Sequence, residues 1–199
     1  MAMDILTILG RTMGFSFAAG INLYATIAIL GLASRYGWVA LPSEYRVFDN
    51  SWIIGIALVL YVVEFFADKI PWLDSAWDAV HSAIRPLGGA FIAVSTVGDA
   101  SPAAKVAAAL LGGTVAASAH FTKAGTRVVA NASPEPFSNW FLSLGEDVFV
   151  VGLGYLALQH PLVALGVTVA ALATIAVFAA AIVRAVRRRF ARARPATAG

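Results

Sequence analysis

Residues 162–183 read LVALGVTVAALATIAVFAAAIV, twenty-two positions without one charged side chain. At 1.5 Å per residue such a helix rises about 33 Å, enough to cross the ~30 Å hydrocarbon layer of a bilayer. The stretch is therefore read as a membrane span, helix 6, over Leu162–Val186. The chain around it has the matching composition: 199 residues, 60% apolar and 13% charged, where soluble domains carry about 25% charge. At roughly 20 residues per span, one polytopic bundle uses up this length. No cysteine is present, so disulfides, thiolate metal sites and cysteine nucleophiles are excluded.

Arg184, Arg187, Arg188, Arg189, Arg192 and Arg194 close this span and supply six of the fourteen Lys and Arg residues. A basic cluster beside an apolar helix anchors to anionic headgroups at the cytoplasmic face. It also accounts for the pI near 9.5 without a nucleic-acid partner. The expected domain organisation is one transmembrane domain over 1–187 and a basic cytoplasmic tail over 188–199.

Toward the N-terminus, helix 1 is expected over Thr12–Ser34 with Asn22 near its middle, and a polar loop over Tyr36–Ser51. Helix 2 begins at Trp52 and runs through Glu64 and Asp68 to a stop at Pro71. In Trp72–Arg85 the residues Asp74, Asp78, His81 and Arg85 recur at intervals of 4, 3 and 4, one helical stripe, which predicts an amphipathic helix on the cytoplasmic surface or capping the bundle. Helix 3, Pro86–Gly98, is short for a span and reads as re-entrant or tilted. Helix 4 covers Pro102–Thr122, helix 5 Ser138–Leu158, and between them Pro134 and Pro136 flank Glu135 and break the helix. The fold class predicted is an all-α integral membrane protein of about six membrane-embedded helices, in a bacterial inner membrane, with both termini cytoplasmic. Six spans divide into two inverted three-helix halves, the arrangement of many secondary transporters, although only Gly20, Pro42 and Glu44 against Gly112, Pro134 and Glu135 support a repeat.

Several polar residues fall inside the apolar segments. Glu64 and Asp68 are one turn apart on one face of helix 2, fit to share a proton, to ligate a cation or to pair with Lys69, Lys123 or Arg127. Glu146 falls near mid-bilayer, where an unpaired carboxylate costs at least ~2.5 kcal/mol, and Asp147 lies about 100° further round the helix. His120, Lys123 and Arg127 form a basic stripe at i, i+3 and i+7, readable as a phosphate or carboxylate dock or as positive-inside anchoring. Asn22 reads equally as interhelical glue and as a ligand. Ser138 could cap helix 5 if the Ser133–Asn139 break lies at membrane depth.

The strings Gly20-Ile21-Asn22-Leu23-Tyr24-Ala25-Thr26, Glu64-Phe65-Phe66-Ala67-Asp68-Lys69-Ile70-Pro71, Ala119-His120-Phe121-Thr122-Lys123-Ala124 and Asn131 to Asn139 resemble the motifs of the bacterial membrane family called domain of unknown function 4126. The likeness covers roughly residues 14–158. It implies a helical membrane fold and carries no reaction.

The function expected from the residues is a small secondary transporter or permease that couples protons or sodium to a solute through intramembrane carboxylates, with no cofactor. The candidate binding set is Asn22, Glu64, Asp68, His120, Lys123, Arg127, Glu135, Glu146 and Asp147. On the inner side seven acids, adding Asp74 and Asp78, face four bases, Lys69, Arg85, Lys123 and Arg127, which favours a cation. Movement of a lipid or polyprenyl-phosphate headgroup between leaflets is the second reading. The third is a Mg²⁺-dependent intramembrane lipid-phosphate enzyme, from Asp74-x-x-x-Asp78 on one helix face. No nucleotide-binding loop is present. Expected partners are membrane lipids and a small solute, ion or lipid headgroup, with no nucleic acid, and a homo-oligomer is left open.

Overall fold

Asn22 decides how the first third of the chain folds. In a computed structural model describing residues 4–38, 43–131 and 137–192, it has the extended backbone φ −143°, ψ 100° between α1 (Ile5–Ile21) and α2 (Leu23–Arg35). Its N–H closes α1 by donating to the Ala18 carbonyl at 2.9 Å. Its side-chain Oδ1 accepts the Ala25 N–H at 2.9 Å, which caps α2. One residue thus ends a helix and starts the next, and the single helix expected over Thr12–Ser34 is two.

The two halves do not run on in one direction. Along α6 (Phe137–Gln159), Arg11 meets Leu158, Gly14 meets Ala157 and Asn22 meets Asp147. Then Ile29 packs on Gly154, and the Trp38 carbonyl accepts a hydrogen bond from Gln159. The chain descends α6 from its C-terminal end to its middle and climbs back. α1 and α2 therefore form a hairpin with Asn22 at its tip, twelve residues or about 18 Å along α6 from Gln159.

The remaining helices, α3 (Ser51–Ala67), α4 (Pro71–Val97), α5 (Pro102–Asn131), α6 and α7 (Pro161–Arg192), alternate in direction, and a short 3₁₀ turn, Ser43–Val47, precedes α3. No strand occurs among the described residues. The described chain thus has seven α-helices instead of about six. Three of them, in α5, α6 and α7, are long and apolar enough to cross a membrane, fewer than the six expected. α1, α2 and α3 are apolar but of 17, 13 and 17 residues, and α4 carries the charged stripe. Nor do inverted three-helix halves emerge: the first three helices hold the hairpin, whereas α5, α6 and α7 are unbroken.

α4 corrects the surface-helix expectation. Residues 71–97 form one helix through Pro86, and Asp74, Asp78, His81 and Arg85 are all buried. Periodicity shows that four polar groups share a face but not which medium the face meets, and in an apolar solvent that face turns inward. The outer surface is correspondingly apolar, with Val59, Phe66, Leu110, Phe141, Val148 and Phe178 exposed.

α1 sits at the centre, packed by α4, α5, α6 and α7. Small residues make that close approach possible. A Cβ on Gly20 would strike the Ala116 carbonyl and Ala119, and Gly89 and Gly112 lie back to back where α4 crosses α5. Phe15, Leu30, Tyr45, Ile92, Val150 and Leu153 fill the core around the hairpin. α7 packs through its first half, and from Ala176 to Arg189 every side chain is exposed.

Candidate functional site

Below the hairpin tip, α3, α4, α5 and α6 bring their polar faces together. The α4 stripe reaches first to α3 and α5. Arg85, fully buried, donates to Glu64 Oε1 at 2.8 Å and to Asp78 Oδ1 at 3.2 Å. Lys123 on α5 lies 2.8 Å from Asp68, 3.5 Å from Glu64 and 3.6 Å from Glu146. Arg127, one turn further, bridges Asp68 at 3.3 Å and Glu146 at 2.5 Å, and donates to the backbone carbonyls of Asp68 and Asn139. Such pairs stand in low dielectric, where removing one partner costs ~3–5 kcal/mol by stranding the other.

The two histidines are held as neutral tautomers by their neighbours. Arg85 can only donate, so at 2.9 Å His120 Nδ1 accepts, and the Nε2–H donates to Ser82 Oγ at 3.1 Å. The Trp77 carbonyl can only accept, so His81 Nδ1 donates to it at 2.7 Å, leaving Nε2 to accept the Tyr24 hydroxyl at 2.8 Å. Tyr24 is on the first turn of α2. The hairpin tip is thereby tied to α4 as well as to α6.

The tip has two further ties. Lys123 Nζ donates to the Ile21 carbonyl at 3.4 Å, one of the acceptors freed where α1 ends. Asn22 Nδ2 donates to Asp147 Oδ1 at 3.3 Å. Asp147 forms no salt bridge within 4 Å among the described residues, and it is only 8% exposed. Its position is eleventh in the 23-residue α6.

Counting the charges in contact, six carboxylates (Glu64, Asp68, Asp74, Asp78, Glu146, Asp147) face three buried bases (Arg85, Lys123, Arg127). Lys69, at the edge, donates to the Phe65 carbonyl and Ser143 and makes a fourth. Six against four leaves an excess of two negative charges. One oxygen each of Asp68, Asp74, Asp78 and Asp147 is buried without a hydrogen-bond partner. No group of three or more His, Asp or Glu side chains among the described residues is gathered to hold a metal ion, so Asp74 and Asp78 do not build a divalent-metal centre with a third ligand. Asp74 instead receives Asn131 Nδ2 at 3.0 Å.

A family model described as a domain of unknown function, DUF4126, matches residues 9–181. The chain belongs to that family. No curated protein and no solved structure matches the chain. The match spans most of the hairpin and every later helix through about two thirds of α7, so the whole polar network lies inside the DUF4126 domain.

Of the residues singled out in the sequence, Glu64, Asp68, His120, Lys123, Arg127 and Glu146 fall in one connected network, and Asn22 and Asp147 adjoin it through the tip. Glu135, with the prolines that flank it, lies outside the described residues, as does the side chain of Ser138. Arg85, Tyr24 and Asn139 belong to the network without having been singled out as candidates, and Asp78, singled out with Asp74 for a divalent metal, belongs to it as a partner of Arg85. The 4, 3, 4 stripe was the signal for Arg85 and Asp78, expected at the membrane surface or as a cap on the bundle. Nothing in the sequence marks Tyr24 as a partner of His81.

Proposed function

We propose that this DUF4126 protein is a small permease in which the buried carboxylates bind a monovalent cation, a proton or sodium, coupled to passage of a solute. The observation that carries the reading is the excess of acid in a dry network gathered under the hairpin. Broken and re-entrant helices at mid-depth, with their exposed helix ends, are how many transporters build ion sites. A buried surplus of negative charge is tolerated only with a bound cation or with protonation.

The headgroup reading is less well supported, because Arg85, Lys123 and Arg127 already donate to carboxylates and a phosphate would have to displace them. The Mg²⁺ reading is less well supported, because Asp78 is paired to Arg85 and Asp74 accepts the Asn131 amide. For the side of the membrane, Lys69, Arg127 and the α7 arginines Arg184, Arg187, Arg188 and Arg189 gather at the end away from the α6–α7 turn, which we take as cytoplasmic.

The test is solute uptake into proteoliposomes under an imposed proton or sodium gradient, using a panel of labelled small metabolites and ions. The reading expects gradient-driven uptake of at least one of them. Absence of driven uptake, together with appearance of a labelled phospholipid in the opposite leaflet, would replace the permease by a lipid-moving protein.

A further inference from the structure

Glu64 and Glu146 are both committed to guanidinium or ammonium partners at 2.5–3.6 Å. Two buried acids lack such a partner: Asp74, on the first turn of α4, which accepts the Asn131 amide and leaves Oδ1 without a partner, and Asp147, which alone of the two is held by the hairpin tip. Asp147 is buried at mid-helix, its Oδ1 accepts only the Asn22 amide, and its Oδ2 has no partner. We propose that Asp147, clasped by the tip of the hairpin, is the proton-binding group of this site. As a coupling group it rests on the permease reading, whereas as a proton site it stands on its own geometry.

The amide orientation selects the ion. Asn22 Oδ1 is engaged as the cap of α2, accepting the Ala25 N–H at 2.9 Å, so the side chain presents its NH₂ group to Asp147. A sodium ion needs oxygen ligands on several sides, and the nearest polar neighbour offers it a hydrogen-bond donor. A proton needs only the free Oδ2. Loading adds one proton from water to Oδ2 and release returns it, with no other bond made or broken. The charged and titratable groups facing Asp147 are Asp68, Tyr61 and Lys69 from α3, Lys123 from α5 and Glu146 beside it on α6. The neutral Asn22 is the contact from the hairpin. Lys123 contacts both the tip carbonyl of Ile21 and three of the acids, so a change of charge on Asp147 is felt at the hairpin from two directions.

The experiment is a pH titration by infrared difference spectroscopy of the full chain in detergent, following the carbonyl stretch of a protonated carboxyl group. In an Asp74→Asn background, which removes the other unpaired buried acid, the chain is expected to show a titrating band that Asp147→Asn abolishes, that Glu146→Gln retains and that replacing potassium by sodium leaves in place. Asn22→Ser keeps a capping oxygen for α2 but withdraws the amide from Asp147. Its carboxylate form then loses a donor, and the midpoint moves to higher pH by about one unit, a tenfold tighter hold on the proton. This variant decides the matter should Asp147→Asn not fold. A band that survives in folded Asp147→Asn, a midpoint displaced by sodium, or a midpoint indifferent to Asn22→Ser overturns the assignment. The expected band behaviour in a protein that drives no solute supports the proton site and removes the permease reading alone.

Discussion

At the scale of single residues, the network separates acids that hold the fold from acids at its margin. Glu64 is fully buried and lies against both Arg85 and Lys123, so Glu64→Gln leaves the buried Arg85 with one carboxylate, Asp78, instead of two and takes one of three from Lys123. The expected cost is about 3 kcal/mol or more, read as a large drop in the thermal unfolding midpoint in detergent. Glu146 has 18% of its side chain exposed, and its loss leaves Arg127 paired to Asp68 and Lys123 paired to Asp68 and Glu64. Glu146→Gln should therefore unfold within a few degrees of wild type. Equal losses in the two variants would show the network to be less ordered than the distances imply. This grading was only half legible in the sequence. The one-turn spacing placed Glu64 and Asp68 on a shared face, but the choice between a free acid pair and a salt-bridged one depended on Arg85, whose stripe was expected at the membrane surface or as a cap on the bundle. Asp147, 100° away from Glu146 on the same helix, could be told apart from it only once the partners of both were in place.

At the scale of the elements, the hairpin depends on two things, a residue that ends one helix while starting another and an arm thin enough to sit at the centre of the bundle. The polar residue at mid-span was plain in the sequence. The break was not, because Asn fits a continuous span as interhelical glue as well as it fits a cap. What turns it into a break is its side chain being used twice, once by Ala25 and once by Asp147. The thinness of the arm is testable. A Cβ on Gly20 meets the Ala116 carbonyl and the Ala119 side chain, and both lie on α5, where backbone cannot give way cheaply. Gly20→Ala should destabilise by roughly 1–3 kcal/mol through overpacking. Gly55, on α3, has nothing near its own Cβ position, and Gly55→Ala should be neutral or gain up to about 1 kcal/mol in helix propensity. Detergent-solubilised thermal melts of the pair measure the difference. Unchanged stability in Gly20→Ala would mean that α1 does not sit tight against α5.

At the scale of the whole molecule, the hairpin changes the parity of the chain. Six spans would return both ends to one side. A hairpin followed by five alternating helices puts the first and last described residues at opposite ends of the bundle. Gly10 lies against Pro161 at the α6–α7 turn, and α7 runs away from that turn toward Arg184 and the arginines after it. The positive charge agrees with this split: Lys69, Arg127 and the α7 arginines are at the far end, while Arg35, Arg46 and Lys105 stay near the turn. The sequence supplied the charges, and their bias gives the α7 end the same expected side in either topology. The N-terminal side depended on whether residues 12–34 cross or double back, which hydropathy does not distinguish, since both forms bury the same apolar residues. Because the native chain has no cysteine, single cysteines at Asp4, Ser101 and Thr197 can report their sides of the membrane directly. A membrane-impermeant thiol reagent applied to intact cells should label Asp4→Cys and Ser101→Cys, and reach Thr197→Cys only after the membrane is opened. Labelling of Asp4→Cys and Thr197→Cys from the same side would restore an even number of crossings, and with it a first helix that passes through the bilayer where the hairpin now turns beside Asp147.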